Sequence, residues 1–234
     1  MEVNFKYSNH KKKARIAGLW YLVMLITAPI GIMYVPSKIM IAGNATATAA
    51  NILSHEMLFR VGIFSNLLCQ VSFVFLVLAL KNLFEGIDKK QSKLMVSLVI
   101  AAVPIAIVIE ILQLAAIHLL SGSEYLKVFS PDQLNALALS LLNFHEHGIV
   151  LAAMFWGLWL LPFGWLVIKS EFIPKILGIL LIIGGCSYIV DSSLAILFPN
   201  FRHLISSFLL LPLSVGELSM VVWLLVKGVK KIKV

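Results

Sequence analysis

Glu110, Asp191 and Glu217 stand inside long apolar stretches, where a carboxyl group without water is either neutralised by a proton or held by a partner. Meeting in one wet cavity, they would repel one another and keep a proton at hand for transport or general acid chemistry. Arg60, reaching inward, would hold one carboxylate ionised, and Gln113, Ser192 and Ser193 add hydrogen-bonding groups. His118, His147 and Asp191 offer mixed nitrogen and oxygen ligation suited to zinc, provided three helices bring them together. His145 and His147 are two residues apart, about 200° around a helix, so they do not grip one ion as a pair. No H-E-x-x-H is present, and His145, His147 and His203 read as interfacial residues facing headgroups and water. Cys69 and Cys186 belong to no C-x-x-C pattern and read as small core residues.

These groups need elements to position them, and composition says which. The chain has 234 residues, 60% hydrophobic and 13% charged, with a net charge of +8. That excludes a water-soluble globular domain, disorder and a disulfide scaffold. The basic residues lie between apolar runs rather than along a face, which excludes nucleic acid as a partner. Six runs suffice to cross a hydrocarbon core of about 30 Å as helices: residues 16–34, 61–80, 94–120, 148–168, 176–198 and 204–226. The fold class expected is an all-α integral membrane protein, one domain over residues 1–234 with six transmembrane helices. Period-two alternation is absent, which speaks against barrel strands.

Of nineteen Lys and Arg, only Lys38, Arg60, Lys127 and Arg202 flank one set of span ends. The other fifteen, from Lys6 and Lys11 to Lys231 and Lys233, flank the opposite set. Basic residues are retained on the cytoplasmic side, so both termini are expected there, and the first span reads as an uncleaved anchor. Ser130, Pro131 and Gln133 form a capping box, so the segment 121–147 is expected to be partly helical, with Leu134, Leu137, Leu141 and Phe144 at helical spacing. Gly178, Gly184 and Gly185 predict close packing of the fourth and fifth spans. Counted from the flanking lysines at about 1.5 Å per residue, Glu110 and Asp191 reach about the same depth, in the outer half, and Glu217 less. The expectation is a pocket open outward, bounded by helices two to six.

Arg60 in Leu58-Phe59-Arg60-Val61-Gly62, the run Phe155-Trp156-Gly157-Leu158-Trp159-Leu160-Leu161-Pro162-Phe163-Gly164-Trp165, and Tyr188-Ile189-Val190-Asp191-Ser192 resemble a bacterial membrane family catalogued as domain of unknown function 4386. The resemblance implies a multi-helix protein of the bacterial inner membrane and brings no activity with it. The expected function is binding or transport of a small or lipid-like ligand, with membrane lipid as surroundings and Arg60, Glu110, Gln113, Asp191 and Glu217 as ligand-binding or proton-carrying residues. The alternatives are a metal-assisted enzyme acting on a lipid and a structural or partner subunit.

Overall fold

A computed structural model describes residues 2–230, apart from the side chains of residues 2–8, 203, 207 and 210–213. The side chains of Lys6 and His203, and Lys231 and Lys233 entirely, lie outside the described residues. In an apolar solvent each backbone N–H and C=O must be satisfied within the segment that carries it, and the described chain is helical apart from short links. The helices are α1 Glu2–Pro29, α2 Val35–Ile39, α3 Ala45–Ser54, α4 Glu56–Phe84, α5 Lys89–Leu119, α6 Pro131–Ser170, α7 Lys175–Leu197 and α8 Pro199–Val226. Among the described residues, five helical stretches are long and apolar enough to cross a membrane: Asn9–Ile39, Glu56–Phe84, Lys89–Leu119, Pro131–Ser170 and Lys175–Leu197. They contain the first five expected spans to within a residue. In α8, the part Ser214–Val226 is apolar.

The expected capping box forms: Ser130 N–H donates to Gln133 Oε1 at 2.8 Å, and Gln133 N–H to Ser130 Oγ at 3.3 Å. It starts α6 at Pro131, so this helix includes much of the segment 121–147. The segment between α1 and α4, which falls between the first two expected spans, is largely helical as well. Asn44 caps α3 by accepting from the Ala47 N–H at 2.9 Å, and Asn51 Nδ2 donates to the Ile39 carbonyl at 3.1 Å. Pro29, which has no N–H to give, precedes a π-helical turn, Ile30–Tyr34, closed by the Val35 N–H on the Ile30 carbonyl.

The chain forms two compact units: Met1–Val23, Ser72–Val103 and Val150–Val234 in one, Met24–Val71 and Pro104–Ile149 in the other. The first unit is centred on aromatic rings. Trp159 meets Tyr21 and Phe73 edge-on at 6.2 and 5.0 Å between centroids and stacks on Phe163 at 5.3 Å. Phe84 joins Phe163 to Phe172. Beside them, α6 and α7 approach at two reciprocal glycine pairs. A methyl group on Gly157 would come within 2.6 Å of the Gly185 carbonyl oxygen, and one on Gly185 within 2.7 Å of the Gly157 oxygen; Gly164 and Gly178 repeat this at 2.5 and 2.6 Å. Both glycines of each pair are seven residues from the next, so the contact recurs every two turns and aligns the helices.

The core of the second unit is built by Val35, Ile39, Ile52, Phe59, Ile63, Ala116, Ile117, Ala138 and Leu142. Here the interfacial reading of His145 is corrected. In the part of α6 that belongs to this unit, Leu137 and Phe144 are exposed, while Ala138, Leu142 and His145 are buried. Lipid tails are as apolar as leucine, so not every large apolar side chain need turn inward, and a hydrogen-bonding residue such as His145 can take a place on the inner face. Cys186 in the first unit, expected in the core, is exposed, whereas Cys69 in the second is buried as expected.

The glycine pairs set a testable asymmetry. Gly164→Ala and Gly178→Ala should each destabilise the folded protein by about 1–3 kcal/mol through overpacking. At Gly86 an added methyl meets nothing within 4 Å, so Gly86→Ala should be neutral or stabilising by up to about 1 kcal/mol. Thermal unfolding in detergent micelles measures both.

Candidate functional site

Glu110 projects from α5 and is 3% exposed. A carboxylate there needs donors from the chain itself, and three helices of the second unit supply groups to it. From α4, Asn66 Nδ2 donates to Oε1 at 3.1 Å. From the next turn of α5, Gln113 Nε2 donates to Oε2 at 2.9 Å. From α6, His145 Nε2 lies 3.1 Å from Oε1 and 2.8 Å from Gln113 Nε2. Asn66, Gln113 and His145 are all buried.

The hydrogens in this cluster are constrained by valence. Gln113 has two N–H donors, enough for Glu110 Oε2 and for a bare His145 Nε2. In that arrangement Glu110 must present a lone pair at Oε2. If His145 Nε2 carries hydrogen, it donates to Glu110 Oε1 and meets the Gln113 amide donor to donor, until that amide turns over. The turned amide places oxygen against Oε2, which then requires a proton on Glu110. The Gln113 amide is therefore coupled to the charge of Glu110, and a proton has a path of hydrogen-bond length between carboxyl and imidazole.

Asn66 is positioned by the π-turn. A methyl group on Gly31 would come within 1.9 Å of Asn66 Oδ1 and 2.8 Å of the Gly62 carbonyl oxygen, so only glycine leaves the notch that the amide oxygen fills. That oxygen and Gln70 Oε1, one turn further along α4, are buried without a hydrogen-bond partner among the described residues. Along α5 from Glu110, about 14 Å at the helical rise, the same unit has a groove of about 400 Å³. Leu53, Leu119, Leu126, Phe129 and Leu134 line it, together with Lys127.

The other residues singled out from sequence have partners of their own. Arg60 Nε donates to Glu56 Oε1 at 2.7 Å, and both side chains are nearly half exposed. Asp191 is held by Arg202, with Nε 3.1 Å from Oδ1 and Nη2 2.9 Å from Oδ2, a fork that ties α7 to α8. Glu217 Oε1 accepts from the Tyr21 hydroxyl at 2.7 Å, joining α8 to α1. In place of the expected meeting, Arg60, Glu110, Asp191 and Glu217 have four separate sets of partners: a carboxylate for Arg60, a guanidinium for Asp191, a hydroxyl for Glu217, and amides and a histidine for Glu110. His118 is exposed and hydrogen-bonded to Tyr125, and His147 is exposed. Among the described residues no three His, Cys, Asp or Glu side chains gather as a metal site needs, which corrects the zinc set of His118, His147 and Asp191. Of the five expected ligand-binding residues, Glu110 and Gln113 share a site. Asn66 and His145 complete it unannounced: His145 was expected at the interface, yet its register with Ala138 and Leu142 places it inward.

The family described as domain of unknown function DUF4386 matches residues 16–228. The chain belongs to that family. The match takes in the long apolar helices from Ile16 onward and every residue of the Glu110 cluster, and the DUF4386 description carries no activity. No curated protein and no solved structure matches the chain.

Asn66 and His145 address the same carboxylate oxygen, so their removal should not be additive. Asn66→Ala and His145→Ala are each expected to cost about 1–3 kcal/mol. A double-mutant cycle should give a coupling of at least about 0.5 kcal/mol; purely additive losses would mean that the two do not share Glu110.

Proposed function

We propose that this DUF4386 protein is a six-span protein of the bacterial inner membrane, with both termini cytoplasmic, whose Glu110 cluster binds the polar end of a small or lipid-like ligand and exchanges a proton with it during binding or transport. The observation that carries this reading is the buried contact between Glu110 and His145, two titratable groups at 3.1 Å bridged by one amide. Ionisable groups within a membrane are costly and tend to mark substrate or proton pathways. A purely structural polar contact would be served by Asn66 and Gln113 alone. The apolar groove in the same unit supports a ligand with a hydrocarbon part. The orientation rests on the distribution of Lys and Arg, and the sixth span on α8. Asp191, Glu217 and Arg60 enter as helix-to-helix or local ties rather than ligand contacts, each being already engaged.

Infrared difference spectroscopy of the full chain in vesicles tests this reading. A change of pH should produce a protonated-carboxyl band that disappears in Glu110→Gln and shifts in both His145→Gln and Gln113→Leu. A spectrum in which Glu110→Gln removes no titrating band would show that Glu110 exchanges no proton, and the cluster would then be a packing device.

A further inference from the structure

A separate feature lies in the first unit, where the start of α1, the α4–α5 link, the α6–α7 link and the end of α8 are stitched together. Lys13 Nζ donates to the Asn82 carbonyl at 3.1 Å, Lys169 Nζ to Asp88 Oδ2 at 3.0 Å, and Lys230 N–H to the Phe172 carbonyl at 2.8 Å. Phe84 stacks on Phe172 at 5.6 Å. Lysine 169 holds the Asp88 carboxyl below the usual carboxylate range, helped by the Gln91 backbone N–H.

Around this stitched end an exposed basic side chain borders an exposed apolar one on every long helix but α4. Arg15 precedes Ile16 on α1, Lys93 precedes Leu94 on α5, Lys175 precedes Ile176 on α7, Lys227 follows Val226 on α8, and Trp165 lies one turn before Lys169 on α6. An apolar collar directly above a cationic rim is the profile of a membrane boundary. The rim is far from neutral, since Glu85, Asp88 and Glu171 are the acidic residues of these links and Asp88 is already taken by Lys169.

The placement of the lysines also runs against local preference. Lys175 opens α7, the positive end of its helix dipole, with no acidic residue in the first turn; Lys89 and Lys90 open α5, whose capping Asp88 accepts from the Gln91 N–H but shares its carboxylate with Lys169. A cation there is unfavourable unless negative charge is brought from outside. An anionic headgroup lying at the rim, with its chains against the collar, supplies that charge and covers the apolar side chains at once.

We propose that this rim is a binding surface for phospholipids of net negative headgroup charge, with Lys89, Lys90, Lys93 and Lys175 as its main phosphate contacts. The surface is independent of the Glu110 cluster and stands or falls separately from it. The test is electron spin resonance of the full chain in vesicles of phosphatidylcholine doped with spin-labelled phosphatidylglycerol or spin-labelled phosphatidylcholine. The protein should immobilise the anionic probe with a relative affinity at least about threefold higher at low ionic strength, falling toward equality in high salt as screening requires. Replacing the four lysines by Gln should remove the selectivity, and replacing them by Arg should keep it. Lys38→Gln with Lys127→Gln, which changes two lysines of the other unit, should leave it intact. Equal immobilisation of both probes by the wild-type chain would overturn the proposal. So would displacement of the anionic probe by millimolar inorganic phosphate at constant ionic strength, which would indicate a free-anion site. If the Gln variant does not insert, the salt dependence of the wild type and the behaviour of the Arg variant decide the matter.

Discussion

A polar group inside a bilayer has no solvent except the rest of its own chain, and the structure follows from that constraint. Backbone groups meet it by coiling into helices, leaving side chains as the only parts that can join one helix to another by hydrogen bonds. Glu110 is the strictest case. Its two oxygens take donors from α4 and α5 and face a ring nitrogen from α6, so the rotation and register of three helices are fixed by one carboxyl group. The π-turn belongs to the same arrangement, since Gly31 leaves the space in which the Asn66 amide turns its nitrogen toward Glu110.

Where no polar group ties helices together, close approach does. In water, leucine drives association by leaving solvent; in lipid it gains little by moving inward. The α6–α7 contact is accordingly made by glycines whose absent side chains let backbone meet backbone, at Gly157 with Gly185 and Gly164 with Gly178. Ile176, Ile183 and Val190 are exposed on α7. The Asp191–Arg202 fork and the Tyr21–Glu217 bond fasten α8 to its neighbours in the same unit.

The helices were legible in the sequence because length, hydropathy and caps act locally: Ser130 with Gln133, Pro174 before α7 and Pro199 at α8 mark ends that the structure keeps. The glycine seam was legible for a similar reason, since small residues at regular spacing have few other uses in a membrane helix. His145 was misread: expected at the interface, it shares the inner face of α6 with Ala138 and Leu142, while Leu137 and Phe144 turn outward. The site was legible only in part. Glu110 and Gln113 announce themselves by spacing on one helix, while Asn66 is an ordinary amide in an apolar run until Gly31 and Glu110 are placed beside it. The convergence expected of Arg60, Asp191 and Glu217 failed because depth along a helix says nothing about direction around it. Each found a nearer partner.

Nitrogen-15 NMR of histidine-labelled protein in bilayers addresses the central claim most directly, because the Nε2 shift of His145 reports whether that atom carries hydrogen and what it faces. A His145 signal that differs from those of the exposed histidines, and that moves on Glu110→Gln, is the result predicted by a carboxyl and an imidazole in hydrogen-bond contact. A His145 signal indistinguishable from that of an exposed histidine, and indifferent to Glu110→Gln, would contradict it.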